Sequence, residues 1–192
     1  MGKAFTEIRW HGRAQQGTVT AAKLLAEAAL VVGKYIQAFP DYGPERMGAP
    51  LRAYNRISDK PISIRESVRN PDVVAVVDAT LLSVVNIMEG VLDDGIVVIN
   101  TPLEPKEVKE KLQGVTSQVI WTVDATRISL EEMGRAMPNT PMLGALSRAS
   151  GVVDLETVKK QLQDSFSGKF PQKVIDANLS AIERGYKEAR RS

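Results

Sequence analysis

Two stretches of this chain combine residue types that can hold charged groups. The first is Gly12-Arg13-Ala14-Gln15-Gln16-Gly17, which follows the strand-like Glu7–His11 and opens an alanine-rich helix at Thr18. Two glycines five positions apart at a strand–helix junction let backbone amides approach an anion at the helix N-terminus. The second is Phe39-Pro-Asp-Tyr-Gly-Pro-Glu-Arg-Met-Gly-Ala-Pro50, with three prolines and two glycines. Such a loop costs backbone order and buries little apolar area, a balance more common in functional loops than in plain connections. Arg13, Arg46, Arg52 and Arg56 lie on or beside these stretches and suggest a patch for an anion or a carboxylate.

Neither stretch completes a nucleotide-binding signature. A Walker loop needs Gly-Lys-Ser/Thr, whereas Gly17 is followed by Thr18-Val19. A dinucleotide fingerprint needs a glycine where Ala14 stands and an acid at the end of the next strand, and Tyr35-Ile-Gln-Ala-Phe39 offers none. A close-packed strand–helix turn is the competing structural reading for Gly12–Gly17, and Tyr42 has one as a staple against the sheet. Catalytic groups are scarce. The chain has no cysteine, which excludes disulfides, a thiol nucleophile and cysteine-ligated clusters or zinc. Its one histidine, His11, cannot alone build a histidine metal site. Asp72 and Asp78 flank a strand, so they sit at opposite ends of it and cannot pair. The residues by themselves describe a domain that frames a ligand or binds a partner.

At 192 residues, with 43% hydrophobic and 25% charged, the chain suits one domain over residues 1–192. A net charge of +2, spread over interleaved acids and bases, gives no support for nucleic-acid binding. No apolar run reaches membrane-spanning length and the first residues lack the apolar core of a secretion signal, so no membrane contact and a cytoplasmic location are expected.

Short apolar runs alternate with amphipathic segments. This pattern predicts a three-layer α/β/α domain with a mixed, mostly parallel sheet and a helical C-terminal third. Strands are expected at Glu7–His11, Tyr35–Phe39, Leu51–Ile57, Ile62–Arg65, Val73–Val77, Ile96–Asn100 and Val119–Val123. Helices are expected to start near Thr18, Thr80, Glu104, Thr126, Thr140, Asp154 and Pro171. Ser58-Asp-Lys-Pro61 predicts a hairpin joining Leu51–Ile57 to Ile62–Arg65. Val77-Asp-Ala-Thr80 is echoed by Val123-Asp-Ala-Thr126, and Asn-Thr-Pro occurs at Asn100 and again at Asn139. Threonine N-caps account for these echoes, and they fall on the carboxyl edge where α/β sheets take ligands.

Taken in order, Trp10-His-Gly-Arg-Ala-Gln-Gln-Gly17, Phe39–Pro50 and Arg52-Ala-Tyr-Asn-Arg-Ile57 resemble the gamma subunit of the 2-oxoacid:ferredoxin oxidoreductases. Asn139-Thr-Pro-Met-Leu-Gly-Ala145 and Lys169-Phe-Pro-Gln-Lys-Val-Ile-Asp-Ala-Asn178 are similar to the pyruvate (pyruvate synthase) branch. The family loop usually reads Gly-Arg-Gly-Gly-Gln-Gly or Gly-Arg-Ala-Gly-Gln-Gly, so Gln15 stands in place of a glycine. The resemblance implies a complex that oxidatively decarboxylates pyruvate to acetyl-CoA and CO2 and passes electrons to ferredoxin. It implies alpha, beta and delta subunits as partners, which hold thiamine diphosphate, Mg2+ and 4Fe-4S clusters. This chain would then hold no cofactor and no catalytic residue, and would brace the assembly and help frame coenzyme A, the co-substrate. Gly12, Arg13, Gln16, Gly17, Tyr42 and Arg46 become the candidates to touch coenzyme A or a neighbouring subunit. The alternatives are a gamma subunit serving 2-oxoisovalerate, 2-oxoglutarate or indolepyruvate, and a stand-alone Rossmann-like nucleotide-binding protein. A chain made to assemble with others is also expected to expose an apolar patch.

Overall fold

Along β1 (Phe5–Arg13), Glu7, Arg9, His11 and Arg13 alternate with Ile8, Trp10 and Gly12, so one face of the strand is charged and the other apolar. The computed structural model describes residues 5–42 and 48–192, with Tyr42 described by its backbone. Six further strands join β1: β2 (Tyr35–Tyr42), β3 (Pro50–Ser58), β4 (Val73–Val76), β5 (Ile96–Asn100), β6 (Val119–Val123) and β7 (Arg190–Arg191). They form one sheet in the order β2-β3-β1-β4-β5-β6-β7. The central β1, β4, β5 and β6 run parallel. β3 is antiparallel to both β1 and β2, and β7 is antiparallel to β6. The expected α/β architecture with a mixed sheet is present.

The helices are α1 (Thr18–Val31), α2 (Pro105–Lys111), α3 (Ala125–Met133), α4 (Asn139–Ser150), α5 (Leu155–Phe166) and α6 (Gln172–Glu188). Five of them cover one face of the sheet. There Ile8, Trp10, Ala53, Ala75, Val98 and Val123 meet the alanine-rich side of α1 and the apolar sides of α3 to α6. Trp10 Nε1 donates to Asn55 Oδ1 at 2.8 Å, and Asn55 Nδ2 donates to the Ala22 carbonyl at 2.8 Å. This buried chain ties β1, β3 and α1 together without leaving an indole N–H unpaired.

α4 and α6 meet through Gly144 and Gly185. A Cβ on Gly144 would stand 2.0 Å from the Ile182 carbonyl oxygen, and one on Gly185 would stand 2.0 Å from that of Pro141. Contact is therefore backbone to backbone. Thr140 Oγ1 donates to Asn178 Oδ1 at 3.0 Å across the same seam.

The opposite face is thinly covered. Val74, Val76, Val97, Ile99 and Ile120 pack against Ile87, Met88 and Val108, which come from irregular chain and the seven-residue α2. A cleft of about 850 Å3 opens there between Leu82–Ile87 and Leu103–Leu112.

Three expectations need correction. Ile62–Arg65 is not a strand. The hairpin instead joins β2 to β3, from Tyr35 opposite Ser58 to Tyr42 opposite Leu51. Pro61 lacks an amide donor, and residues 61–67 are tied to the sheet by side chains: Gln37 Nε2 donates to the Ile64 carbonyl and Arg56 Nη2 to that of Glu66. The helix expected from Thr80 is a five-residue 3-10 turn, Ala79–Ser83, before β-branched Val84 and Val85. Capping falls to aspartates rather than threonines. At the two Val-Asp-Ala-Thr echoes Asp78 accepts from the Thr80 amide and Asp124 from that of Arg127, while Asp154 caps α5 at its expected start, accepting from the Thr157 amide. α2 is capped by Glu104 with Pro105 behind it, and α4 starts behind Pro138.

Candidate functional site: the β1–α1 junction

β1 ends at the carboxyl edge of the parallel strands, and the chain turns there into α1. Gln16 makes the turn rigid. Its amide donates to the Arg13 carbonyl at 3.3 Å, its Oε1 accepts from the Arg13 amide at 2.8 Å, and its Nε2 donates to Asp78 Oδ2 at 2.7 Å. Asp78, at the end of the adjacent β4, also pairs with Arg13 Nε at 3.1 Å. Arg13 reaches further, to Thr80 Oγ1 at 3.1 Å and to the Gly48 carbonyl at 2.5 Å. Burial alone would raise the Asp78 pKa, but hydrogen bonds from Thr80 and Gln16 and the charge of Arg13 hold it below the usual 3.8. It stays a carboxylate throughout the neutral range.

The two glycines serve distinct needs. A Cβ on Gly12 would fall 2.0 Å from Thr18 Oγ1, so this position must be bare for α1 to start where it does. Gly17 has φ 73 and is the N-cap of α1, a left-handed conformation that suits glycine. Gln15 adopts φ 72 as well, and it is the only non-glycine with positive φ among the described residues. The turn therefore keeps a conformation that favours glycine even where the residue carries a side chain, at a cost of order 1 kcal/mol.

Below the junction the charged side of β1 is buried. Arg56 lies opposite Glu7 in register and pairs with it at 2.7 Å, the two side chains 2% and 8% exposed. Arg56 also donates to Gln37 Oε1 at 3.1 Å. It is thus a structural cation, and it does not join the exposed anion patch that sequence suggested. Arg9 Nε donates to His11 Nε2 at 3.0 Å, and its Nη2 donates to the Ile87 carbonyl at 2.9 Å. Burial, with Arg9 and Arg52 close by, pushes the His11 imidazole down from 6.5 to about 3. Between those values the unfolded chain takes up a proton that the folded chain refuses, so stability falls as pH drops. The expected loss from this group is on the order of 1.4 kcal/mol per pH unit below 6.5. NMR titration of the folded chain should show a neutral imidazole down to about pH 5; a midpoint near 6.5 would contradict this.

Of the six candidates, Gly12, Arg13, Gln16 and Gly17 come together in one turn. Tyr42 ends β2, paired through its backbone with Leu51, and Arg46 lies outside the described residues. Sequence reasoning missed Asp78 as the residue that locks the turn. Its signal was the Val-Asp-Ala-Thr echo at a strand end, which points equally to a cap. Among the described residues no group of three or more His, Asp or Glu could hold a metal ion, and no helix is long and apolar enough to cross a membrane.

Residues 7–188 match the family model described as pyruvate ferredoxin/flavodoxin oxidoreductase. The chain belongs to this family. It is 54% identical over 190 residues to pyruvate synthase subunit PorC of Thermotoga maritima, covering 99% of this chain and 97% of that one. It is 47% identical over 178 residues to the pyruvate/ketoisovalerate oxidoreductases common subunit gamma of Pyrococcus abyssi, covering 93% and 96%. The crystal structure of pyruvate oxidoreductase subunit PORC from Thermotoga maritima superposes with a TM-score of 0.88 at 52% identity, covering 99% of both chains. Membership of the pyruvate ferredoxin/flavodoxin oxidoreductase family thus meets the expectation raised by Trp10–Gly17 and Phe39–Pro50, and these relatives support the gamma-subunit and pyruvate oxidoreductase readings together.

Proposed function

We propose that this chain is a non-catalytic gamma subunit of a pyruvate:ferredoxin oxidoreductase, one domain over residues 1–192 that braces the assembly and frames coenzyme A. The observation that carries the reading is the β1–α1 junction. Its charged groups, Arg13 and Asp78, neutralise each other, and Asp78 is held as a carboxylate, its pKa pushed below the ordinary value and away from neutral pH. Such a turn suits holding a ligand better than transforming it. Thiamine diphosphate, Mg2+ and the 4Fe-4S clusters then belong to alpha, beta and delta subunits in the same cytoplasm, with ferredoxin as acceptor. Assembly is supported by Leu30, Val31, Val32 and Tyr35, large apolar side chains exposed close together at the end of α1, Val31 by 62%.

Coenzyme A carries phosphates, and Gly12, Arg13, Gln16, Gly17, Tyr42 and Arg46 are the residues assigned to meet them or the adjoining subunit. In a reconstituted complex, Arg46→Ala should raise KM for coenzyme A about tenfold with kcat little changed, the loss of one charge-assisted hydrogen bond. Unchanged coenzyme A affinity together with unchanged assembly would remove Arg46 from the site. Affinity capture of the chain from its native cytoplasm tests the wider reading. Thiamine-binding and iron–sulfur subunits with pyruvate-dependent viologen reduction are expected; recovery as a lone nucleotide-bound protein would favour the stand-alone alternative. A second reading has its own support. The Pyrococcus relative is a subunit common to pyruvate and ketoisovalerate oxidoreductases, so a chain shared between two complexes fits this sequence too.

A further inference from the structure

The first turns of α1 and α4 meet, and no side chain closes either. α1 begins behind Gly17 and α4 behind Pro138, and neither start has a side-chain cap. The position of a Cβ on Gly17 lies 2.6 Å from Asn139 Cγ and Nδ2, so the cap of one helix rests on the first residue of the other. Thr140, next along α4, is turned away towards Asn178. The first-turn amides of two helices, of 14 and 12 residues, thus bring two partial positive charges to one place.

Two buried polar atoms at this meeting point lack a hydrogen-bond partner among the described residues: Thr18 Oγ1 and Asn139 Oδ1. Thr18 is 1% exposed and Asn139 6%. Both side chains point into the Gly12–Gly17 turn, one against Gly12 and the other against Gly17. Thr18 offers an O–H. The Asn139 amide offers an acceptor or, after a half-turn about Cβ–Cγ, two N–H donors in the same space. Orphaned buried groups of this kind call for a ligand that supplies the missing bonds. Asp78, the acid bonded to this turn, is already engaged by Arg13 and Gln16, so its charge is offset.

We propose that Thr18 and Asn139, with the first-turn amides of α1 and α4, form a subsite for a phosphate-type oxyanion. The inference rests on the coenzyme A reading above, in which this oxyanion is one of the coenzyme A phosphates.

The probe is inorganic pyrophosphate added to the full chain and followed by the amide NMR signals of Gly17, Thr18, Asn139 and Thr140. Saturable shifts are expected in the wild type. Thr18→Val keeps the side-chain shape and removes only an unpartnered hydroxyl, so Tm should hold or rise while the pyrophosphate Kd increases about tenfold. Asn139→Asp, which sets a negative charge against the anion, should weaken binding by at least as much. A purely structural role predicts no binding difference between wild type and Thr18→Val; that result, or absent shifts, overturns the subsite. The two layers of the reading separate in the reconstituted complex. Pyrophosphate bound through Thr18, with a coenzyme A KM that Thr18→Val leaves alone, keeps the subsite and removes coenzyme A as its ligand. A KM raised by Arg46→Ala, with no pyrophosphate bound, does the reverse.

Discussion

Gly185→Ala is expected to cost about 3 kcal/mol of folding stability or more. The added Cβ would stand 2.0 Å from the Pro141 carbonyl oxygen and 2.7 Å from Pro141 Cα. These are backbone atoms of α4, so no rotamer change makes room. The helices would have to part, and the seam they share includes Thr140 and Asn178 as well as buried Leu143 and Ile182. Gly144→Ala meets the same obstacle from the other side, at the Ile182 carbonyl. Because both changes open one contact, the double variant should be less destabilised than the sum of the two. Urea unfolding of the three variants checks this; a loss near zero for Gly185→Ala would mean that α4 and α6 separate at little cost.

The second large effect is expected at Arg56. Arg56→Met removes the guanidinium from the buried Glu7 carboxylate, and breaking a buried pair from one side typically costs about 3–5 kcal/mol. It also frees the Glu66 carbonyl, which Arg56 holds at 2.5 Å and which helps fasten residues 61–67 across β3. Much of the loss should return in Glu7→Gln with Arg56→Met, where neither member of the pair leaves an unpartnered charge behind. Thermal unfolding of the single and paired variants decides the matter. Equal losses in both would show that the hydrogen bonds of Arg56, rather than its charge, support the sheet.

The value of the residue pattern differed from element to element. Ile96–Asn100 and Val119–Val123 were legible to the residue because short β-branched runs, apolar but for Asn100 and Thr122 and mostly buried on both faces, read as central strands. β2 and β3 were legible as strands and not as partners, since neither strand states on its own the register in which the two pair. The turn Gly12–Gly17 was legible from its glycine spacing. Its partner Asp78 was not, because 65 residues separate it from Arg13 and only the adjacency of β1 and β4 brings them together. Arg56 misled for a related reason. Its neighbour Glu7 is 49 positions away, and an arginine on a strand reads as exposed until register supplies the acid. Thr18 and Asn139 showed nothing on their own; only the distances to Gly12 and Gly17 single them out.

The uneven cover of the sheet has a dynamic consequence. On one face, helices of 9 to 17 residues shield the strands; on the other, a five-residue turn and a seven-residue helix do so beside an open cleft. The thin side buries a smaller apolar cluster than the helical side, so local opening there is expected to need less free energy than parting α4 from α6. Local opening is expected first on the thinner side, where Ala79–Ser83 starts directly after Asp78, the residue that holds the Gly12–Gly17 turn in place.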